Sequence, residues 1–453
     1  MRIHFIAIGG SAMHSLALEM KNHGHEVSGS DDVLFDPAKT ALEKAGIAPK
    51  TLGWNPEQIT NSIDVVVLGM HAKGDNPELK RAQELSLRIN SYPEFLAGLS
   101  EDKTRVVVAG SHGKTTITAM VLHVLGYHNQ IPDFMVGAPV PAVSKTLSLQ
   151  EENDFILLEG DEYLSSAIDQ RPKFLWYTPE IALISGIAWD HVNVFPSFET
   201  YTAQFENFIY SLQEGGVLIY NEEDRGVKSL VENASHPIKK IPYQTPKYSI
   251  DQGVTYLETE EGNVPLHIFG KHNLSNLAGA KWICQLMGID ASDFYEALPS
   301  FKGAAKRLEC IAQGSTSLLF KDFAHAPSKV KATTEAIRAQ FPSKKIIACL
   351  ELHTYSSLDP AFLVQYQNTL QQTDASVVFY DPEALKIKNR TPIAPDQIRK
   401  AFGQAQLQVV TQKEGLEDFI FNQNPTDTVF LMMSSGNYGG FNWERLKAEV
   451  NAS

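Results

Sequence analysis

The residues with the clearest capacity for chemistry form one run, Gly110-Ser111-His112-Gly113-Lys114-Thr115-Thr116. The run lies between residues 105–109, a β-branched stretch that predicts a strand, and residues 116–127, which predict a helix. In that setting the backbone N–H groups of the loop point at phosphate oxygens. Lys114 would neutralise the outer phosphates, and the Thr115 hydroxyl would bind Mg²⁺. The sequence therefore predicts an ATP-binding loop, although Val108 stands where the common pattern has glycine.

Two further polar runs follow apolar stretches that predict strands. Glu159-Gly-Asp-Glu162 follows residues 155–158, and Asp190-His191 follows residues 181–185. Carboxylates at the carboxyl end of a parallel strand lie at the ligand crevice, and Mg²⁺ prefers oxygen ligands. An acidic run is more often a solvated loop and a single histidine is more often structural, so both interpretations stay open for each run.

A second glycine turn, Gly9-Gly10-Ser11-Ala12, follows the apolar residues 2–8. Asp31 and Asp32 come about 20 residues later, where an acidic side chain meets a ribose hydroxyl in dinucleotide-binding folds. The outer glycines of the dinucleotide pattern are replaced by alanine. The turn predicts either the binding of a nucleotide diphosphate or a tight strand–helix connection without a ligand.

The elements that must hold these loops alternate between strands and helices along the whole chain. Strands are predicted at residues 25–29, 64–68 and 216–220, and later at 317–320, 345–350, 375–380 and 428–433. Helices are predicted between them, for example at residues 201–212, 272–286 and 329–340. This alternation predicts an α/β fold with parallel sheets, divided into three domains at residues 1–102, 103–300 and 301–453.

The composition excludes several classes of protein. The 453 residues carry a formal net charge of −14, which argues against binding of a nucleic-acid backbone. The three cysteines lie far apart, which predicts a reducing compartment rather than a disulfide framework or a zinc site. No apolar run reaches the roughly 18 residues that span a bilayer, so we expect a cytoplasmic protein without membrane insertion.

Three weaker segments become informative only as part of an ordered set. They are Gly270-Lys-His272-Asn273-Leu-Ser-Asn276, Lys306-Arg307 and Asp322-Phe-Ala-His325. Each alone predicts only a helix cap, a basic pair or a turn. Together with the runs above, in the same order, they resemble the motifs of the Mur ligase family across almost the whole chain. That family's phosphate loop is similar to residues 110–116, its Glu-Ala-Asp-Glu segment to residues 159–162, and its Asp-His pair to Asp190-His191.

The resemblance implies a Rossmann-like UDP-binding first domain, a central ATPase domain with the phosphate loop, and a Rossmann-like C-terminal domain. It further implies a ligase that uses ATP and Mg²⁺ to join an amine to UDP-N-acetylmuramate through an acyl phosphate. The implied catalytic residue at the transferring phosphate is Lys114, and the implied metal ligands are Thr115, Glu159 and His191.

Other roles also come only from the resemblance. The implied contacts of ATP are residues 110–116 with His272, Asn273, Asn276, Arg307 and Asp322. The implied contacts of the UDP substrate are Gly9, Gly10, Ser11, Asp31, Asp32 and His71. The implied residues on the amine side are His325 and Ser435.

Within the family, the Gly-Gly-x-x-Met opening resembles the branch that acts on UDP-N-acetylmuramate itself. Residues 171–179 resemble the murein peptide ligase subgroup, whose acceptor is the tripeptide L-alanyl-γ-D-glutamyl-meso-diaminopimelate. L-alanine is the alternative acceptor within the same branch.

The sequence departs from the family pattern at four places. Many members carry a carbamoylated lysine, but no lysine lies between Lys173 and Lys228, and Glu206 is our candidate for a substitute carboxylate. In the loop around Asp190-His191, Gly186 stands for an expected Asn and Asn193 for an expected Asp. Ala326 stands for an expected His, and residues 435–437 replace a substrate-contacting loop of the family in altered form.

Three other functions share parts of this sequence pattern. Folylpolyglutamate synthetase shares the phosphate loop but lacks the first domain, and residues 3–32 argue against it. A NAD-dependent dehydrogenase would leave residues 110–116 unexplained. A non-catalytic sensor of ATP or a UDP-sugar is compatible with the departures at Gly186, Asn193 and Ala326.

Overall fold

The computed structural model describes residues 1–138, 140, 143, 145–388 and 391–453. The chain divides into two compact units. The first consists of Met1–Ile187, Thr202–Tyr243 and Gly279–Ile289, and the second of Ala188–Tyr201, Gln244–Ala278 and Asp290–Ser453. Mixed helices and largely parallel sheets confirm the α/β fold class. Among the described helices, none has both the length and the apolar character that crossing a membrane requires.

The first sheet is built from the beginning of the chain. Its strands are β1 (Arg2–Ile6), β2 (Glu26–Ser30), β3 (Val65–Leu68) and β4 (Ile89–Ser91), all parallel, in the order β2-β1-β3-β4. Four helices accompany it: α1 (Ser11–Asn22), α2 (Ala38–Lys44), α3 (Pro77–Glu84) and α4 (Tyr92–Gly98). All four residues of β3 are buried, as expected for a parallel strand that is covered on both faces.

The second sheet has seven strands and surrounds the predicted phosphate loop. They are β5 (Thr104–Ala109), β6 (Asp133–Met135), β7 (Leu147–Ser148), β8 (Phe155–Glu159), β9 (Ile181–Ile184), β10 (Val217–Asn221) and β11 (Lys239–Tyr243). The order is β11-β10-β9-β5-β8-β6-β7, and β7 alone pairs antiparallel in this sheet as described. Three helices belong to this stretch of the chain: α5 (Lys114–Tyr127), α6 (Phe198–Tyr210) and α7 (Arg225–Asn233). Because β8 and β9 flank β5, the loops that follow these three strands meet at one edge.

A small antiparallel sheet follows, which the sequence did not predict. It consists of β12 (Tyr248–Asp251), β13 (Val254–Thr259) and β14 (Gly262–Leu266). Most of its side chains are at least partly exposed, so the apolar runs that identify buried strands are missing. Helices α8 (Lys271–Leu286) and α9 (Ala291–Ala297) come next.

The last sheet has six strands. They are β15 (Glu309–Gln313), β16 (Leu318–Asp322), β17 (Lys345–Glu351), β18 (Ala375–Phe379), β19 (Gln408–Val410) and β20 (Thr428–Met433), in the order β15-β16-β20-β17-β18-β19. Among the described strands of this sheet, β15 alone pairs antiparallel, and the other pairings are parallel. The accompanying helices are α10 (Pro327–Gln340), α11 (Pro382–Ile387), α12 (Pro395–Phe402), α13 (Lys413–Phe421) and α14 (Trp443–Asn451).

The core of this last sheet lies on both of its faces. Leu350 and Leu431 belong to one buried apolar cluster, while Cys349 and Phe430 belong to another. Successive residues of one strand therefore point to opposite, equally apolar sides. This explains why the predicted strands at residues 345–350 and 428–433 are confirmed to within one residue at either end. The domain boundaries at residues 102 and 300 stay a prediction.

Candidate active site

The loop of residues 110–116 connects β5 to α5 through two glycines that other residues could not replace. Gly110 has φ +132°, and a Cβ atom there would collide with the Ser185 hydroxyl. Gly113, at φ 83°, directly precedes the first residue of α5. No described side chain caps this helix end. The first-turn N–H groups therefore form the kind of helix N-terminus that binds phosphate.

Lys114 is held at this helix start by two acceptors. Its Nζ atom donates to the Gly110 carbonyl oxygen at 2.5 Å and to Glu162 Oε2 at 2.6 Å. Glu162 is 1% exposed, so the pair is shielded from solvent. Burial lowers the pKa of Lys114, but the charges of Glu162, Asp161 and Glu159 outweigh it and the pKa is raised. Lys114 therefore stays a cation.

Thr115 and Glu159 bring two oxygen atoms together beside Lys114. The Thr115 hydroxyl donates to Glu159 Oε1 at 2.7 Å, and the Gly137 N–H group donates to Glu159 Oε2 at 2.7 Å. A hydroxyl and a carboxylate are ligands that suit Mg²⁺. Within the described residues, no group of three His, Cys, Asp or Glu side chains could hold a metal. A metal ion beside Thr115 would therefore take further ligands from bound phosphate or water.

The residues that directly follow β9 contact the loop of residues 110–116. The Ser111 N–H group donates to the Gly186 carbonyl oxygen at 2.9 Å, and the Ser185 hydroxyl donates to the His112 carbonyl oxygen. A Cβ atom at Gly186 would lie 2.5 Å from His112 Cε1. A larger residue at position 186 would therefore require the His112 ring to move.

The N-terminal glycine turn is held by Asp31. The Gly9 N–H group donates to Asp31 Oδ2 at 2.7 Å. Burial raises the pKa of Asp31, although the hydrogen bonds from the Gly9 and Val33 N–H groups act to lower it. Gly10 precedes the first residue of α1, Ser11. Since β1, β2 and β3 are parallel, the loops that follow them share one edge, and His71 and Asp32 are exposed there.

In the second unit, Asp190 and His191 lie at the start of a turn, in which the Val194 N–H group donates to the His191 carbonyl oxygen at 2.8 Å. His191 has φ 55°, which is uncommon for a residue with a side chain. Asp190 Oδ1 accepts the His191 N–H group at 2.7 Å and the Ser356 hydroxyl at 3.3 Å. Burial raises the pKa of Asp190, but the charges of His191 and Lys329 outweigh it and the pKa is lowered. The turn thus carries a buried carboxylate beside the imidazole.

His325 is a neutral imidazole. Burial and the charge of Lys329 lower its pKa to about 4, against the opposing charge of Asp190. Its Nδ1 atom lies 2.7 Å from the Phe323 carbonyl oxygen, so Nδ1 carries the proton and Nε2 is an acceptor. The Arg307 guanidinium carbon lies 4.5 Å from the centre of the Phe323 ring, which places Arg307 in the same group.

The predicted adenine-side residues lie on the first turns of α8. The Asn273 amide donates to the Phe269 carbonyl oxygen at 3.0 Å, and Asn276 is buried. Burial lowers the pKa of His272, and the negative charge of Asp322 acts in the opposite direction. His272 and Asp322 are therefore neighbours. Asp322 Oδ2 also accepts the Thr333 hydroxyl at 2.6 Å.

Two family models match this chain, the Mur ligase family catalytic domain over residues 2–104 and the Mur ligase middle domain over residues 108–284. The chain belongs to the Mur ligase family. It is 30% identical to UDP-N-acetylmuramate–L-alanine ligase of Desulfitobacterium hafniense, over 83% of this chain and 84% of that protein. It is also 30% identical to UDP-N-acetylmuramate–L-alanyl-γ-D-glutamyl-meso-2,6-diaminoheptandioate ligase of Escherichia coli, over 78% and 79%.

Solved structures of this family share the fold. A murein peptide ligase from Psychrobacter arcticus aligns with a TM-score of 0.68 at 22% identity, covering 100% of this chain and 99% of that one. UDP-N-acetylmuramate–alanine ligase from Thermotoga maritima aligns with a TM-score of 0.71 at 21% identity, covering 99% and 98%.

The sequence motifs of this Mur ligase do not include Glu351 and Ser356. Glu351 closes the apolar strand β17 and is 2% exposed, and Ser356 contacts Asp190. Glu351 shows the same sequence pattern as Glu159, an acidic residue at the end of an apolar strand, and this pattern predicts it. Glu206, in contrast, is exposed on α6, and its charge acts on Tyr210. The candidate metal site therefore rests on Thr115 and Glu159.

Proposed function

We propose that this Mur ligase joins the lactyl carboxylate of UDP-N-acetylmuramate to an amine, with conversion of ATP to ADP and phosphate. The observation that carries the proposal is the group formed by Lys114, Thr115 and Glu159 at the start of α5, with donor distances of 2.5–2.7 Å. It combines a half-buried cation with two oxygen ligands beside a helix N-terminus, which suits a triphosphate. The three free cysteines fit the reducing cytoplasm as the proposed location.

The proposed reaction has two bond-forming steps. A carboxylate oxygen of the substrate attacks the γ-phosphorus, the bond to ADP breaks, and an acyl phosphate forms. The amine then attacks the acyl carbon, phosphate leaves, and the amine loses a proton. Both steps need alignment and charge neutralisation rather than a protein nucleophile. Lys114, kept cationic by its acidic neighbours, neutralises the transferring phosphoryl group.

Mg²⁺ fits the oxygen ligands of Thr115 and Glu159, and we assign a first ion to them. His191 is the proposed ligand of a second ion, carried by the turn that Asp190 fixes. When bound, Mg²⁺ would neutralise charge on the phosphate oxygens. Glu159 is itself oriented by the Gly137 N–H group, which keeps one carboxylate oxygen beside Thr115.

The proposed binding sites for the UDP moiety and for the adenine of ATP also lie at the starts of helices. The UDP diphosphate would bind at Gly9, Gly10 and Ser11, where α1 begins and Asp31 fixes the turn. Asp32 and His71 are the proposed exposed contacts at the same edge. The adenine side of ATP is assigned to His272, Asn273 and Asn276, with Arg307 and Asp322 as further contacts from the third predicted domain.

We propose the tripeptide L-alanyl-γ-D-glutamyl-meso-diaminopimelate as the acceptor. Support comes from residues 171–179, which resemble the peptide-adding subgroup and in which the Arg171 side chain is held in place. Arg171 donates to both oxygens of Asp169 at 3.1 Å and 3.2 Å, and its guanidinium carbon lies 3.8 Å from the centre of the Trp176 ring. L-alanine is the second candidate, because several similar relatives carry the name of the L-alanine ligase.

Phosphate release from ATP, with UDP-N-acetylmuramate and either the tripeptide or L-alanine, tests the proposal. We expect release with the tripeptide at a kcat/KM clearly above that with L-alanine. A preference for L-alanine would overturn the acceptor assignment. Release with neither acceptor, by a protein that still binds ATP, would reject the ligase and favour a sensor.

A further inference from the structure

Three polar side chains on one face of α1 contact the edge of the second sheet. Ser15, Glu19 and His23, the last of these at the C-terminal cap of the helix, are spaced by four residues and so lie in one row. Their partners are in residues 145–149, which contain β7, the strand at one edge of the seven-stranded sheet. The row therefore joins the helix that begins at the proposed UDP turn to the sheet that carries the phosphate loop.

Glu19 is the buried centre of this contact. It is 3% exposed, and its Oε1 atom accepts the Leu149 N–H group at 2.9 Å. Its Oε2 atom lies 3.4 Å from the Lys145 ammonium nitrogen. The His23 Nε2–H group donates to the Leu149 carbonyl oxygen at 3.0 Å. Side chains from α1 thus satisfy both backbone groups of the residue that follows the edge strand, and the backbone in turn satisfies the buried carboxylate.

Ser15 connects the same contact to the proposed UDP turn. Its hydroxyl donates to the Ser11 carbonyl oxygen at 3.1 Å, and Ser11 is a proposed contact of the UDP diphosphate. With its proton used there, the Ser15 oxygen is free to accept the Thr146 hydroxyl, which lies 2.7 Å away. Thr146 is thus attached to the first turn of α1.

Thr146 continues the connection to Glu159, the proposed ligand of Mg²⁺. Its carbonyl oxygen accepts the Val136 N–H group at 2.9 Å, next to the pairing of β6 with β7. The following N–H group, that of Gly137, donates to Glu159 Oε2 at 2.7 Å. The other Glu159 oxygen accepts the Thr115 hydroxyl. An unbroken series of hydrogen bonds and single residues therefore connects the two proposed sites.

The two substrates of the proposed reaction are held by different sheets. The UDP turn follows β1 of the first sheet, and Glu159 ends β8 of the second, although both lie in the first compact unit. Attack of a carboxylate on the γ-phosphorus needs the reacting atoms about 3–3.5 Å apart, and a misplacement of about 1 Å can lower the rate about 100-fold. Contacts that set the distance between the two sheets therefore affect the rate.

We infer that Ser15, Glu19 and Thr146 are positioning residues of the ligase, which hold the UDP turn at a fixed distance from the Glu159 carboxylate. The inference rests on the proposed function. The α1–β7 junction, formed by these three residues with His23 and Leu149, acts through Ser11 at one end and through Gly137 at the other. Each site keeps its own residues when the junction is loosened, so the substrates still bind while phosphoryl transfer slows.

The test compares phosphate release by Thr146→Val, Ser15→Ala and Thr146→Ser with that by the wild type, with each substrate varied in turn. We expect kcat to fall about tenfold in Thr146→Val and Ser15→Ala, because the reacting groups are no longer aligned. The KM values of ATP and UDP-N-acetylmuramate should stay within about twofold of the wild-type values. Thr146→Ser keeps the hydroxyl and should retain most of the wild-type kcat. The double variant Ser15→Ala/Thr146→Val should lose little more than either single variant, since both remove the same hydrogen bond.

Thr255→Val is the matched control. Thr255 is 1% exposed, and its hydroxyl donates to Gln340 Oε1 at 2.9 Å, within the second compact unit. The same replacement removes a hydrogen bond of similar length outside both proposed sites, so it should lower the melting temperature and leave kcat unchanged. An equal fall of kcat in the control, or an unchanged kcat in Thr146→Val and Ser15→Ala, would show that the junction is only structural. KM values that rise as much as kcat falls would also reject the inference.

If the wild type does not turn over, the ligase assignment fails and calorimetry decides on the junction. UDP-N-acetylmuramate is titrated into the folded protein with and without saturating Mg²⁺ and a non-hydrolysable ATP analogue. Coupling through the junction should change the Kd of the wild type by at least about threefold between the two conditions, and Thr146→Val should lose this change. No change in the wild type, or the same change in the variant, would reject the junction as well. Turnover by the wild type with an unchanged kcat in Thr146→Val would instead reject the junction and uphold the ligase.

Discussion

The Lys114 ammonium group and the Glu162 carboxylate form an ion pair with 2.6 Å between Nζ and Oε2. Lys114 has three N–H donors, and the pair together with the Gly110 carbonyl oxygen uses two of them. Glu162 therefore orients the lysine and keeps it charged. This relationship makes the lysine both a proposed phosphate contact and the partner of a buried carboxylate, so its removal has two separable effects.

Lys114→Ala should lower phosphate release by at least about 100-fold, because it removes the cation at the transferring group. It should also destabilise the fold by about 3–5 kcal/mol, since the buried Glu162 carboxylate loses the cation that it pairs with. Phosphate release and the free energy of unfolding measure the two effects. The double variant Lys114→Ala/Glu162→Gln should regain stability but not activity. Near-wild-type phosphate release from either variant would reject the assignment of Lys114.

Thr115→Val should raise the Mg²⁺ concentration for half-maximal activity about tenfold, because it removes the hydroxyl beside Glu159. The matched control is Thr118→Val on the same helix. Thr118 donates to the Lys114 and Thr115 carbonyl oxygens inside the helix, at 3.1 Å each. The control should keep the wild-type Mg²⁺ dependence, and an equal shift in both variants would count against Thr115 as a metal ligand.

Asp31→Ala should raise the KM of UDP-N-acetylmuramate about tenfold and leave the KM of ATP unchanged, because the Gly9 N–H group loses its acceptor. Steady-state kinetics with each substrate varied in turn provides the measurement. Asp36→Asn serves as the control, since Asp36 is exposed and accepts only from Thr40 among the described donors. A larger effect on ATP than on the UDP substrate would contradict the assignment.

His325 should make the folded state sensitive to acid. Its folded pKa of about 4 lies below the ordinary value of 6.5, so the unfolded chain binds more protons between these values. The contribution of His325 to stability is therefore complete above pH 6.5 and is lost as the pH falls toward 4. His325→Gln should show a smaller drop in melting temperature between pH 7 and pH 5 than the wild type. An equal drop in both proteins would show that His325 titrates normally.

The phosphate loop could be predicted from sequence because its parts are adjacent in the chain. A buried apolar strand, two glycines and a lysine lie within residues 104–116, and β5 and α5 are confirmed there. The central strands of the last sheet could be predicted for the same reason. Their apolar residues are consecutive, and consecutive apolar residues suit a strand that is buried on both faces.

The attachment of Glu351 to Ser434 could not be predicted, because the two residues are 83 positions apart. Only the pairing of β17 with β20 brings them together. The ion pair of Lys114 with Glu162 spans 48 positions and depends in the same way on the pairing of β5 with β8. The sequence identifies the acidic run of residues 159–162. Which of its carboxylates contacts Lys114 and which contacts Thr115 depends on the register of the strands.

Gly186 and His112 have a consequence for how such a protein can change over time. A Cβ atom at Gly186 would lie 2.5 Å from His112 Cε1, so a larger residue at position 186 requires the His112 ring to rotate away or a smaller residue at position 112. Substitution at one position is therefore coupled to the other, and the departure from the family pattern belongs to the pair rather than to the glycine alone.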